Sequence, residues 1–161
     1  MIATSNKCMK ILVDDADYDM LSKYSWSLNQ KGYPICNIWI DGTRTTKSVS
    51  RLLINPPKDK QVDHINGDKL DNRRDNLRMC SPQENCFNRK HRKGSYSIYK
   101  GVSTFFYTRT NGDTRIYYKA IIQVNKKPLY LGMFKTQSSA AMAYNNAAKT
   151  HFGKFALLNI I

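Results

Sequence analysis

Two breaks constrain the fold of this 161-residue chain more than any other feature. Asn55-Pro56-Pro57 cannot lie inside a helix, because both prolines lack the amide donor that a helix needs. Gly94-Ser95 follows the basic run Arg89-Lys90-His91-Arg92-Lys93 and ends any helix that reaches it. Between and around these breaks lie three short stretches. The reading is α+β: a β-rich region over 1–49, a second unit with a basic helix and linker over 50–95, and a third unit over 96–161.

In the first stretch, residues 9–13 (MKILV) read as a short strand, and the Asp-rich segment after them suits one or two helical turns with Asp14 or Asp15 as N-cap. The pattern then changes to period two. Ser25–Leu28, Tyr33–Ile40 and Thr43–Val49 are rich in aromatic and β-branched residues, and Asp41-Gly42 is a tight-hairpin signal, so a small β-meander is predicted. Arg51–Ile54 gives a short helical turn before the prolines.

Charge narrows the function. Lys and Arg total 26 against 12 acids, a formal net charge of +14 that points to a polyanionic partner. The excess grows along the chain, with 6 basic against 5 acidic side chains in 1–50, 11 against 6 in 51–95 and 9 against 1 in 96–161. That gradient suits binding to a phosphate backbone. The four cysteines, at 8, 36, 80 and 86, contain no C-x-x-C pair and read as reduced, mostly buried thiols. No apolar run approaches the ~20 residues that span a bilayer, and the N-terminus lacks a secretory pattern, so a soluble, cytoplasmic protein without a membrane partner is expected.

The chemistry-bearing stretch is 63–85. Asp63 and His64 are adjacent, Asn76 lies 12 residues after His64, and Asn85 lies 9 after Asn76. Ser81-Pro82-Gln83-Glu84 is a capping box with proline at the first helical position, which predicts a helix from about Pro82 to about Arg92 with Asn85 in its first turn. A base that deprotonates water and a cation that stabilises phosphate charge are what phosphodiester hydrolysis requires. A neutral histidine and hard oxygen donors supply the means.

Residues 50–92, with DHINGDKLDNRRDNLR and the Ser-Pro-Gln-Glu-Asn helix start, resemble the HNH nuclease family. The resemblance implies a ββα-metal fold, a catalytic set of His64, Asp63, Asn76 and Asn85, and one Mg²⁺ (or Mn²⁺) ion. In it, His64 is the general base, Asp63 and Asn85 hold the metal, and Asn76 ties down the loop between the strands. Arg74, Arg78, Arg89 and Arg92, with Arg73 and Asn88 near them, are candidate phosphate contacts. Many relatives carry a histidine where Ser50 precedes Arg51-Leu52, a departure that would weaken activity if that histidine supports the metal site. His91 and His151 receive no role.

In the last stretch, Val102–Arg109, Thr114–Val124 and Leu129–Phe134 read as three antiparallel strands, joined at Asn111-Gly112 and by Asn125-Lys126-Lys127-Pro128. Thr136 caps a helix whose alanines recur at helical spacing, Gly153 following its end. Tyr99-Lys100-Gly101-Val102, Tyr130-Leu131-Gly132-Met133-Phe134 and the alanine-rich helix at 140–148 resemble the plant ethylene-response-factor (APETALA) DNA-binding domain. That resemblance implies a three-stranded sheet that enters the major groove with one helix packed behind it. Alternation turns Tyr118, Ala120, Ile122 and Val124 toward the helix and Tyr117, Lys119, Ile121 and Gln123 outward. Lys100, Ser103, Phe105 and Tyr130 fall on the family's contact positions, and Lys119, Gln123, Lys126 and Lys127 complete the candidate DNA contacts. Ser103, Ile121, Gln123 and Pro128 replace the family's usual charged contacts, so its target sequence does not transfer.

The sequence thus reads as a site-selective endonuclease similar to homing endonucleases, acting as a monomer on double-stranded DNA without an obligate protein partner. The alternatives from other classes are a non-catalytic DNA-binding regulator and an RNA-binding protein.

Overall fold

The structure is a computed structural model, and it describes residues 2–3, 10–89 and 97–161. Cys8, His91, Arg92 and the Gly94-Ser95 break lie outside the described residues. The chain divides into two compact units, Met1–Cys86 and Phe87–Ile161. The architecture is α+β, built from small antiparallel sheets. Among the described residues, no helix is long and apolar enough to cross a membrane.

The first unit opens with a two-residue pair, β1 (Ile2–Ala3) against β2 (Lys10–Ile11). Leu12 then joins the chain to the loop before residue 73: its amide donates to the Leu70 carbonyl at 2.8 Å, and its carbonyl accepts from the Asn72 amide at 2.8 Å. Helix α1 (Asp15–Ser22) follows with Asp14 at its N-cap, as expected. The Asp14 side chain does not cap that helix, however. Its Oδ2 accepts from the backbone amide of Arg74 at 2.8 Å and so satisfies the start of a 3₁₀ turn at Arg74–Asn76.

The predicted meander is present as β3 (Ser27–Leu28), β4 (Pro34–Ile40) and β5 (Thr43–Ser48), in that spatial order. Asp41 and Gly42 both take positive φ, 48° and 71°, as a two-residue type I′ hairpin turn requires. Val49 leaves the strand and starts helix α2 (Val49–Ile54), because the Ser48 hydroxyl accepts from the Arg51 amide at 3.3 Å. Asn55, in the left-handed region, closes α2 just before Pro56.

Strands β6 (Gln61–His64) and β7 (Leu77–Cys80) pair antiparallel, with Asp63 opposite Arg78 and His64 opposite Leu77. Helix α3 (Pro82–Phe87) follows. One apolar core, including Ile11, Leu21, Trp26, Cys36, Val49, Leu53 and Leu77, serves residues of 1–49 and of 50–86 together. At roughly 25 cal/mol per Å² of apolar surface buried, this shared core is the main force holding the small sheets in place.

The capping box forms as read: the Glu84 amide donates to Ser81 Oγ at 3.2 Å, and the Ser81 amide to Glu84 Oε2 at 2.7 Å. The helix is shorter than the predicted 82–92, since α3 ends at Phe87. The Phe87 carbonyl accepts from Lys100 Nζ at 2.6 Å, and its ring stacks on Phe152 with centroids 3.8 Å apart.

In the second unit, β8 (Val102–Thr108), β9 (Thr114–Val124) and β10 (Lys127–Phe134) form an antiparallel sheet in the order β10-β9-β8. Ala120 and Ile122 are buried, and Tyr118 and Val124 pack beside them, so the predicted inward face of β9 is the one that meets α4 (Gln137–Phe152). Thr136 Oγ1 caps α4 by accepting from the Ser139 amide at 3.1 Å. The β9–β10 connection is tighter than predicted. Asn125 and Lys126, at φ 50° and 66°, make a two-residue turn, and Lys127 and Pro128 belong to β10. Pro128 is tolerated there because β10 is an edge strand, where one face of the backbone needs no ladder donor. Gly101, at φ 75°, is required: a Cβ there would collide with the Tyr144 ring.

Candidate active site

Asp63 and His64 end strand β6, and both are buried. Asp63 is held by the residue opposite it on β7: Arg78 Nε and Nη2 donate to its Oδ2 at 2.8 and 2.6 Å. Both partners of this ion pair are largely withdrawn from water, with side-chain exposures of 14% for Arg78 and 8% for Asp63.

Two residues earlier on the same strand, and therefore on the same face, Gln61 Oε1 accepts from Asn85 Nδ2 at 2.7 Å. This bond draws the α3 asparagine toward the strand face that bears Asp63. Asp63 and Asn85 each carry hard oxygen atoms, the donor type that Mg²⁺ prefers. The nearby thiol is no competitor. Burial pushes Cys80 up to about 11, so it stays protonated, its Sγ donating to the Gln61 carbonyl at 3.6 Å. Among the described residues, no group of three or more His, Cys, Asp or Glu side chains comes together in the manner of a zinc cage.

His64 is set differently. Its Nε2 lies 3.2 Å from Oδ1 of Asn72, a residue with no exposed surface. The Asn72 Nδ2 donates to the Lys69 carbonyl at 3.0 Å. A backbone carbonyl can only accept, so the amide nitrogen must face Lys69 and the amide oxygen must face His64. His64 Nε2 therefore donates, which places the ring's lone pair on Nδ1. Burial is the main influence on the ring and lowers its pKa from the usual 6.5; the Asn72 bond and the carboxylates of Asp63, Asp68 and Asp71 oppose that shift without cancelling it. His64 is accordingly neutral at pH 7. The Tyr33 ring stands 6.0 Å from it, and Lys69 Nζ covers Tyr33 at 4.9 Å while donating to the Lys31 carbonyl.

Asn76 spans the loop between β6 and β7. Its Oδ1 accepts from the Asn66 amide at 3.0 Å, and its Nδ2 donates to the Asp71 carbonyl at 2.7 Å. Asp71 is buried beneath Arg73, whose Nε and Nη2 reach it at 2.8 and 2.7 Å and hold its carboxyl below the usual range. Ser50 is buried on α2, where its hydroxyl lies 3.2 Å from that of Ser48.

The candidate phosphate contacts fall into distinct settings. Arg74 forks onto Asp17 at 2.8 and 2.7 Å but stays half exposed. Arg78 is the partner of Asp63, and Arg89 is exposed beyond the end of α3. In the second unit, Ser103, Phe105, Gln123, Lys126, Lys127 and Tyr130 are exposed. Lys119 lies over the Tyr130 ring at 5.5 Å. Lys100 is turned inward onto the Phe87 carbonyl, and burial brings its pKa down to about 8. Of the three described cysteines, Cys36 and Cys80 are buried and Cys86 is exposed, in line with a mostly buried set.

Sequence reasoning did not single out Asn72, Gln61 or Tyr33. An asparagine within DNRRDN carries no mark that separates it from a turn former. Only the tertiary fold, which runs Leu12 beside residues 70–72 and docks the Tyr33 segment on His64, reveals these contacts.

The profile of the HNH endonuclease family matches residues 55–86. The chain is 34% identical over 146 residues to an uncharacterised HNH endonuclease, L560, of Acanthamoeba polyphaga mimivirus, covering 89% of this chain and 71% of that protein. It is also 45% identical over 47 residues to Protein 3.8 of Escherichia phage T7, covering 29% of this chain and 39% of that protein. No solved structure matches. Nucleases of this family generally use divalent metal ions, and the residue set at the end of β6, the loop after it and the start of α3 lies within the matched span. The chain belongs to the HNH endonuclease family and is a nuclease.

Proposed function

We propose that this nuclease hydrolyses phosphodiester bonds of duplex DNA at selected sites, with His64 as general base and a divalent ion, Mg²⁺ or Mn²⁺, held by Asp63 and Asn85. The observation that supports this most directly is the buried, neutral His64 whose Nε2 proton is committed to Asn72. Its Nδ1 lone pair then accepts the proton of the attacking water as the oxygen bonds to phosphorus. Asn72 keeps that nitrogen basic by holding the other, and Asn76 keeps the loop that carries Asn72 closed on the strands.

The bound ion would neutralise the scissile phosphate and the departing 3′ oxygen. Arg78 pairs with Asp63 at 2.6 Å, so its guanidinium stands where it could also face a phosphate oxygen. Site choice is assigned to the second unit, read as a domain resembling ethylene-response factors. The exposed face of its sheet carries Ser103, Phe105, Lys119, Gln123 and Tyr130, and Lys126 and Lys127 stand at its hairpin tip. That unit has nine basic residues and one acid from 96 onward.

The test is to incubate the chain with genomic DNA and Mg²⁺, with and without EDTA, and to sequence the ends. The reading expects breaks clustered at few positions that vanish with EDTA. Breaks that persist in EDTA, or that scatter without preference, would overturn metal dependence and site choice respectively.

A further inference from the structure

The meander carries a feature that the nuclease site does not use. Register along β4 and β5 puts Asn37 opposite Thr46 and Trp39 opposite Arg44, alternating with Cys36 opposite Lys47 and Ile38 opposite Thr45. Cys36 is buried and Ile38 packs on the core, so that face points inward. Asn37, Trp39, Arg44 and Thr46 point the other way, and all four are exposed. Strand β3 pairs only with Pro34 and Ile35, so beyond Cys36 the hairpin is a bare two-stranded ribbon.

Trp39 is 73% exposed, more than any other aromatic side chain among the described residues. The second tryptophan behaves normally: Trp26 is 1% exposed and its Nε1 donates to the Leu21 carbonyl at 2.9 Å. A tryptophan left in water on a face of amide, hydroxyl and guanidinium groups is what a partner surface offers. Asn37 Oδ1 takes the Thr46 hydroxyl at 2.8 Å, which presents the asparagine's amide donors to a partner.

Resting on the reading that this chain acts on duplex DNA, we propose that the β4–β5 ribbon is a further DNA-contacting element, with Asn37, Trp39, Arg44 and Thr46 as its contact face. Charge selects the partner: the contact face carries the guanidinium of Arg44 and no acid, Asp41 lying in the turn and the other acids of the first fifty residues at 14–19. Shape fits as well, since the major groove, about 12 Å wide, admits a two-stranded ribbon. The ribbon is coupled to the nuclease site. Cys36 shares a core with Val49, Leu53 and Leu77, and Tyr33, just before β4, sits against His64. DNA gripped by the ribbon would be held in fixed register with Asp63 and His64.

The test uses the full chain in EDTA with a fluorescein-labelled duplex of mixed sequence, reading anisotropy and tryptophan emission together. Because Trp26 is buried, quenching by iodide reports Trp39, and the signal should vanish in Trp39→Phe. The proposal expects duplex to shield Trp39 from iodide, Trp39→Ala to weaken binding about ten-fold, and Arg44→Ala to lower the slope of log K against log salt by about 1. Both side chains are exposed, so these variants keep the core intact. Normal anisotropy with Trp39 still fully quenchable, or wild-type affinity in both alanine variants, would overturn the ribbon's role. Shielding that depends on protein concentration without DNA would assign the ribbon to a second copy instead. If the wild type gives no anisotropy rise at all, the DNA reading itself fails and the ribbon proposal falls with it.

Discussion

Asn72→Ala should both destabilise the first unit and release the tautomer of His64. Asn72 has no exposed surface, and its removal strands the buried His64 Nε2–H and the part-buried Lys69 carbonyl. Each stranded group costs about 1–3 kcal/mol, reduced where water can enter the space left behind, so a loss of about 3 kcal/mol is expected. With a slope of ~1.5 kcal/mol per molar urea, the midpoint should fall by about 2 M, read from the fluorescence of buried Trp26. A ¹⁵N–¹H spectrum of the wild type should show the His64 proton on Nε2. The variant should show a mixture, and its cleavage rate should drop about ten-fold, the equivalent of one lost orienting bond of ~1.4 kcal/mol. A wild-type proton on Nδ1, or a variant that keeps the Nε2 form, would show that Asn72 does not set the tautomer of His64.

Arg78→Met leaves the buried Asp63 carboxylate without its cation and should cost about 3 kcal/mol without metal. Millimolar Mg²⁺ should then raise the melting temperature of the variant more than that of the wild type, and equal shifts would count against Asp63 as a ligand. Asn76→Ala removes bonds of 3.0 and 2.7 Å across the loop and should cost about 2 kcal/mol, with Asn76→Asp intermediate because it keeps only the acceptor. Urea midpoints decide this. Lys100 has a folded pKa lowered to about 8 from 10.5, so the unfolded chain holds its proton more tightly and stability should rise as pH climbs from 8 to 10. Lys100→Met should flatten that rise, and an unchanged slope would show that Lys100 does not cause it.

What the sequence revealed depended on how local each cause was. The Ser81–Glu84 capping box, the Asp41-Gly42 turn and the inward face of β9 follow from neighbours within a few residues, and each could be read directly. The end of α3 at Phe87 could not, since no glycine or proline stands there. Asp14 could not be read as capping Arg74 rather than its own helix, because that bond is made between residues 60 positions apart. The resemblance to the HNH family, carried by residues 63–85, pointed to Asp63, His64, Asn76 and Asn85. Their neighbours Gln61, Asn72 and Tyr33 became visible only once the loop had folded back on β6.

If His64 is the base of a metal-dependent cut, its loss must slow cleavage without weakening duplex binding. The most direct measurement is the single-turnover cleavage rate at one mapped site, for wild type and His64→Ala, in Mg²⁺ and again in EDTA. No cutting is expected in EDTA, and in Mg²⁺ the His64→Ala rate should be lower by about 10²–10⁴-fold with duplex affinity unchanged. Cutting that survives EDTA, or a His64→Ala rate within two-fold of the wild type, would contradict this mechanism.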